Sequence, residues 1–272
     1  RYIIAGYPWF KCRARDTFIS LPGLTLSIEE DDYFELVMKT AMKGYYEFME
    51  GKPVTVHIAE IDQPDVPLWA VWALQQYAKE KGKEACLKKY GKFIKDVVMY
   101  VKCNHHPNLK LMPNGLLYTD GKDKAVTWMN STANGHPVVP RTGYIVEFNA
   151  LWYNALCFCA SLCELAGKEK DQQQLLEAAE LAKQSFLDTF LNEYGYLYDY
   201  VNGSYTDLSV RPNMVIAVGV DHTPLDRRQR KRILDFITRE LLTPKGLRTL
   251  SPNSYGYNPW YVGNPEQREK AY

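Results

Sequence analysis

No stretch of the sequence approaches the roughly 20 apolar residues that span a bilayer, and no signal-peptide pattern opens it. Charge of one sign is also missing. The 33 Lys and Arg residues meet 32 Asp and Glu, for a formal net charge of +1. Nucleic-acid binding needs a clustered basic field, so this balance argues against such a partner. There is no Gly-rich phosphate loop and no dinucleotide fingerprint. Histidine is scarce, at five residues. The pair His105-His106 has no Cys or carboxylate cluster beside it, and adjacent His residues chelate one ion poorly. Neither a metal nor a cofactor is expected. The six cysteines (Cys12, Cys86, Cys103, Cys157, Cys159 and Cys163) match neither a zinc ribbon nor a redox CxxC. They are expected to be buried, reduced thiols, which points to a reducing, cytoplasmic location. The chain starts at Arg1 rather than Met, so an upstream segment is expected.

What is present suits a globular protein. The 272 residues are 46% apolar and 24% charged, enough to bury a core and too apolar for wholesale disorder. Aromatics stand out, with 20 Tyr, 10 Phe and 6 Trp. Such rings fill cores, and they also stack on sugars.

Helical periodicity dominates. Ser27-Ile28-Glu29-Glu30 reads as a capping box for a helix running to about residue 50. Further helices are predicted over Val66–Lys81, stopped by Gly82, and over 84–102, Ile145–Leu165, 171–190, 211–219 and 226–242. Ile145–Leu165 is apolar on nearly all sides and should be buried all round. Others are one-sided, as in 226–242, where Ile233, Leu234, Phe236 and Ile237 should face inward and Arg227–Arg232 should form a solvated basic face. Buried and one-sided helices in succession fit a two-layer helical ring. Residues 104–144 form a long non-helical region of the kind that is usually functional. Residues 194–203 alternate and read as a small hairpin.

The unusual residues lie in the loops. Arg15-Asp16 enters a helix and reads either as a capping ion pair or as a holder of ligand hydroxyls. Glu147 heads the apolar helix, where a carboxylate caps backbone N–H groups or faces a cavity. Arg211-Pro212-Asn213 opens another helix.

Five stretches together resemble the glucosidase domain of glycogen debranching enzymes, the amylo-α-1,6-glucosidase family: AGYPWFKCRARDTFISLPGL, GLLYTDGKDKAVTWMN, GHPVVPRTGYIVEFNALWYNAL, RPNMVIAVG and LLTPKGLRTLSP, the last leading into YNPWYVGNPEQREKAY. The resemblance implies an all-α fold, an (α/α)6 toroid of six helical hairpins, with residues 1–272 forming one domain that lacks its C-terminal helices. It implies hydrolysis of α-1,6-linked glucosyl stubs on glycogen or limit dextrin, with inversion. It makes Arg15 and Asp16 the pair that grips the terminal glucose, Trp9 and Trp128 pocket walls, and Arg141, Glu147, Asn149, Arg211 and Asn213 pocket-floor residues. A further domain upstream of Arg1 is compatible with it. One departure matters. The family's general acid is the Asp of a Thr-Trp-Met-Asp motif, and this chain has Asn130 there. Either another carboxylate has taken over, with Glu147 the nearest in sequence, or the domain binds α-glucan without efficient hydrolysis. A ring glycosidase acting on another sugar is a third reading.

Overall fold

A computed structural model of the chain describes residues 1–271. The helices are α1 (Ala14–Leu24), α2 (Asp31–Met49), α3 (Val66–Lys81), α4 (Lys83–Lys102), α5 (Val146–Leu165), α6 (Glu169–Phe190), α7 (Met214–Gly219), α8 (Arg227–Leu241) and α9 (Pro265–Glu269). They occupy about half of the described residues. Nine strands of two or three residues lie between them: β1 (Lys110–Leu111), β2 (Leu117–Thr119), β3 (Thr132–Ala133), β4 (His136–Pro137), β5 (Gly143–Ile145), β6 (Tyr200–Asn202), β7 (Tyr205–Thr206), β8 (Leu242–Thr243) and β9 (Gly246–Leu247). The fold is therefore helical with small sheets rather than strictly all-α. The chain divides into two compact units. One holds Arg1–Lys110 and Ala155–Leu176, the other Leu111–Asn154 and the residues from Glu177 on.

In the first unit, α3 packs against both α1 and α4. Its eleven buried residues surround the helix, from Val66 to Ala78. Gly82 ends it at φ 91, as the sequence predicts. Helix α4 is one-sided. Cys86, Tyr90, Phe93, Ile94, Val97, Val98 and Val101 are buried at helical spacing. The predicted capping box does not form. Leu26–Ile28 is a 3-10 turn, Glu29 sits at φ 60, and α2 starts after Glu30 with no side-chain cap. Ser27 Oγ instead points back to the Pro22 carbonyl, 3.5 Å away.

In the second unit, β2, β5, β6 and β7 are successive antiparallel neighbours, with Thr119 opposite Gly143, Ile145 opposite Tyr200 and Asn202 opposite Tyr205. The hairpin lies at 200–206, displaced from the predicted 194–203, because the chain turns at Gly203 rather than before it. Its core gathers Val146, Ala150, Phe186, Phe190, Leu197, Met214, Ile233 and Ile237. Leu234 is not part of the inward face of α8. It is 47% exposed, because Ile233, Ile237 and Leu241 already define the buried stripe at four-residue spacing. Helix α5 is buried along nearly its whole length, as predicted, with only Tyr153, Cys157 and Ser161 half-open in a four-residue seam before Glu164. None of the six cysteines, all of them among the described residues, is in a disulfide. Cys103 is exposed and Cys12 and Cys157 are half-buried, so the expectation of buried thiols holds for Cys86, Cys159 and Cys163 alone. Cys103 is exposed because α4 ends at Lys102 and Cys103 lies past its buried face.

His106 is buried against the rings of Phe48 and Tyr100, with centroids 5.5 and 6.0 Å away. Its Nδ1 accepts the Asn108 N–H at 3.1 Å, and Nε2 has no hydrogen-bond partner. Burial pushes its pKa down to about 4. The unfolded chain therefore takes up the proton first as pH falls. Stability is full above about pH 6.5, declines toward pH 4, and is about 2 kcal/mol lower at pH 5 than at pH 7 from this group alone. Urea unfolding at both pH values should show the loss, and His106→Gln should flatten it.

Candidate active site

The second unit is organised around Arg141. The β5–β6 pairing brings Asp199, just before β6, to Arg141, just before β5, and to Glu147, six residues on at the head of α5. The Val146 N–H donates to the Asp199 carbonyl at 3.2 Å and locks the junction. Two glycines make room. A Cβ on Gly121 would fall 1.9 Å from the Arg141 carbonyl oxygen, and one on Gly143, at φ 99, would fall 2.3 Å from that of Val201.

The Arg141 guanidinium is 1% exposed and donates to two carboxylates. Nε reaches Asp199 Oδ2 at 2.8 Å and Nη2 reaches Oδ1 at 3.0 Å. Nη1 donates to Glu147 Oε1, and Nη2 to Oε2 at 2.6 Å. Burial opposes the Arg141 charge, but Asp199 and Glu147 outweigh it and hold its pKa well above the usual value. Burial also pushes the Glu147 carboxyl up, against the pull of Arg141. Asp199 accepts Asn213 Nδ2 at 2.7 Å, and Asn213 Oδ1 accepts the indole N–H of Trp128 at 2.7 Å. Trp128 is half-buried, and Asn130, two residues on, donates its N–H to the Trp128 carbonyl at 3.0 Å. Arg211 Nε lies 3.8 Å from Asp199 Oδ2. Nearby Asp207 is raised by burial and by the Asp199 charge, against hydrogen bonds from Ser209 and the charge of Arg211.

Five of the sequence-predicted residues thus join one network: Trp128, Arg141, Glu147, Arg211 and Asn213. Asn149 does not. Its amide is spent on the backbone, accepting the Leu117 N–H at 2.7 Å and donating to the Leu117 and Ile145 carbonyls at 3.1 and 3.0 Å. It clamps β2 to α5 rather than offering donors to a ligand. Glu147 is 1% exposed and both of its oxygens accept from Arg141.

In the first unit, Arg15 pairs with Asp65 rather than with Asp16. Nε reaches Oδ2 at 2.6 Å and Nη2 reaches Oδ1 at 2.9 Å, both groups being buried. Trp69 Nε1 donates to the same Oδ2 at 3.2 Å. Asp16 is exposed on α1, and Trp9 is 76% exposed on a turn closed by the Ala5 N–H to the Lys11 carbonyl at 2.7 Å. The sequence reading missed Asp65, Asp199 and Asp207. The available signal was a carboxylate between aromatics in Tyr198-Asp199-Tyr200 and one directly before the Val66-Pro67 helix start. Among the described residues no cluster of three His, Cys, Asp or Glu could hold a metal. None of the described helices is long and apolar enough to cross a membrane.

The fold is shared with helical glycoside hydrolases of the six-hairpin class. A bacterial glucoamylase solved in complex with acarbose superposes with a TM-score of 0.57 at 14% identity, covering 92% of this chain and 37% of that one. A GH78 family rhamnosidase of Bacillus sp. GL1 gives 0.57 at 13% identity, covering 78% and 21%. Within that class the sequence is specific. The family model of amylo-α-1,6-glucosidase matches residues 1–272, and the chain belongs to that family. It is also 24% identical over 193 residues to the glycogen debranching enzyme of Saccharomyces cerevisiae, a match that spans 58% of this chain and 13% of the yeast enzyme.

Removing the Asp199 charge leaves Arg141 with Glu147 alone and takes from the buried Arg211 the carboxylate 3.8 Å away. Asp199→Asn should cost about 3–5 kcal/mol of unfolding free energy. Asp235→Asn, which breaks the exposed pair with Lys231 on α8, should leave the denaturant midpoint where it is.

Proposed function

We propose that this chain is the sugar-recognising part of a glycoside hydrolase acting on α-glucans. Its target bond is the α-1,6-linked glucosyl stub of a glycogen-like limit dextrin, opened with inversion in the cytoplasm. The observation that carries this reading is the fixed chain from Glu147 and Arg141 through Asp199 and Asn213 to the indole of Trp128. A buried network with every link satisfied holds a ring rigidly, and a rigid ring is what a pyranose stacks on. The family membership supports the glucan as substrate. In the first unit, Arg15 is oriented by Asp65, and the exposed Asp16 carboxylate next to it is available to accept sugar hydroxyls.

Inversion needs an acid and a base about 6.5–9.5 Å apart. An amide at position 130 supplies no proton, and Glu147 is committed to Arg141. These two facts favour a second reading, α-glucan binding with little turnover. One experiment separates them. In the full-length protein, native chain and Asn130→Asp are compared for glucose release from a branch-stub dextrin and for dextrin binding. The expected result is slow release by the native protein, unchanged binding, and a gain of about 10²–10⁴-fold on restoring the carboxylate. Native turnover equal to that of Asn130→Asp would overturn the role of position 130. Binding without glucose release in either form would establish the second reading.

A further inference from the structure

The exposed side of α8 carries a groove that a neutral glucan does not require. Its volume is about 740 Å³, within the roughly 300–1,000 Å³ of small-molecule sites. Four cations line it, Arg228, Lys231, Arg232 and Arg239, with Tyr194 and Phe236 as its apolar walls. The one lining carboxylate, Asp235, is paired with Lys231 at 2.6 Å, and Arg239 lies 3.2 Å from Glu240. Arg228 and Arg232 have no carboxylate partner among the described residues, and Arg228 has no hydrogen bond there either.

These two guanidinium groups, neither paired with a carboxylate, stand one helical turn apart, so they are neighbours on one face. Arg232 is held in place. It donates Nη2 to the Tyr194 carbonyl at 3.2 Å and lies on Gly195, where a Cβ would fall 2.0 Å from its Nε. Two guanidinium groups on one helix face, each with donors left beyond the Tyr194 bond, suit the several oxygens of a phosphate monoester. Tyr194 is 58% exposed and is stacked on Tyr196. Phe236 is covered by Tyr196 at 4.4 Å and by the Arg239 guanidinium at 5.1 Å, so Tyr194 is the ring left for a sugar face. A charge fork beside an open ring suits a hexose that bears phosphate.

We propose that the Tyr194–α8 groove is a second binding site, distinct from the Arg141 cluster, that takes a phosphorylated hexose through Arg228 and Arg232 with its ring against Tyr194. The phosphohexose is either a free sugar phosphate or a phosphorylated residue of an α-glucan chain. The site stands apart from the hydrolytic reading, because none of its residues belongs to that network.

Calorimetric titration of the full-length protein tests it with glucose 6-phosphate, a phosphorylated maltodextrin, glucose and inorganic phosphate. At least one phosphorylated sugar should bind tenfold or more tighter than either glucose or inorganic phosphate. Arg228→Gln, an exposed substitution, should weaken that binding at least tenfold without moving the melting temperature. Tyr194→Ala should weaken the sugar phosphates and leave inorganic phosphate unchanged. A preference for the maltodextrin identifies the glucan chain as the source, and a preference for glucose 6-phosphate identifies a soluble one. Equal affinity for inorganic phosphate, indifference to Arg228→Gln, or displacement of the sugar phosphate by an acidic peptide or a short RNA at lower concentration would overturn the proposal.

Discussion

A single buried guanidinium sets the terms for the second unit. Arg141 cannot lose its charge, and a charge taken out of water is tolerated only when it is paired and hydrogen-bonded. Its planar fork therefore dictates where two carboxylates must stand. Glu147 can stand there only if α5 begins at Val146, and Asp199 only if β6 pairs with β5 in the observed register. A one-residue slip would turn every β6 side chain to the other face and remove Asp199 from the fork. The short strands thus have a definite task. They bury little, but they fix the register that makes the ion pairs possible.

The same network decides what the cluster can do chemically. A carboxylate whose two oxygens accept from a guanidinium orients a neighbour well and donates a proton poorly. Glu147 is in that condition. Asp199 is more so, since it also accepts from Asn213. What the network transmits is position. Asn213 is an amide between an acid and an indole, and its side chain donates to the first while accepting from the second. An Asp at position 213 would place two carboxylates face to face, and a Leu would release Trp128. This is a reason of hydrogen-bond parity for Asn213, independent of any sugar.

Much of the helical architecture is legible in the sequence, because periodicity is a local signal. Helix α3 and its Gly82 stop, the buried α5 and the one-sided α4 follow from residue spacing alone. Local signals also misled. Ser27 and Glu30 have the spacing of a capping box, but Glu29 takes a left-handed conformation and the helix starts later. Leu234 has the right hydrophobicity and the wrong angle. The candidate site was half legible. Arg141, Glu147, Arg211 and Asn213 stand out as polar residues in apolar or loop settings. Their key partner, Asp199, lies 58 residues from Arg141, and Asp65 lies 50 from Arg15. Pairings at such separations are made by strand register and helix packing, which no local pattern encodes.

Each unit uses the same chemical arrangement of arginine, carboxylate and tryptophan. Asp65 accepts two bonds from Arg15 and one from the Trp69 indole directly. Asp199 accepts from Arg141 and reaches the Trp128 indole through Asn213. Both arginines are bonded through Nε and Nη2 to the two oxygens of one carboxylate. Arg211 is not. It is 8% exposed, its Nε has no hydrogen-bond partner, and its Nη1 bond to the Thr249 carbonyl is long at 3.5 Å. Asp199 is close enough to balance its charge at 3.8 Å and too far to occupy its donors. Within the cluster of the second unit, Arg141 is thus held by direct hydrogen bonds to two carboxylates, while Arg211 is held by charge more than by hydrogen bonds.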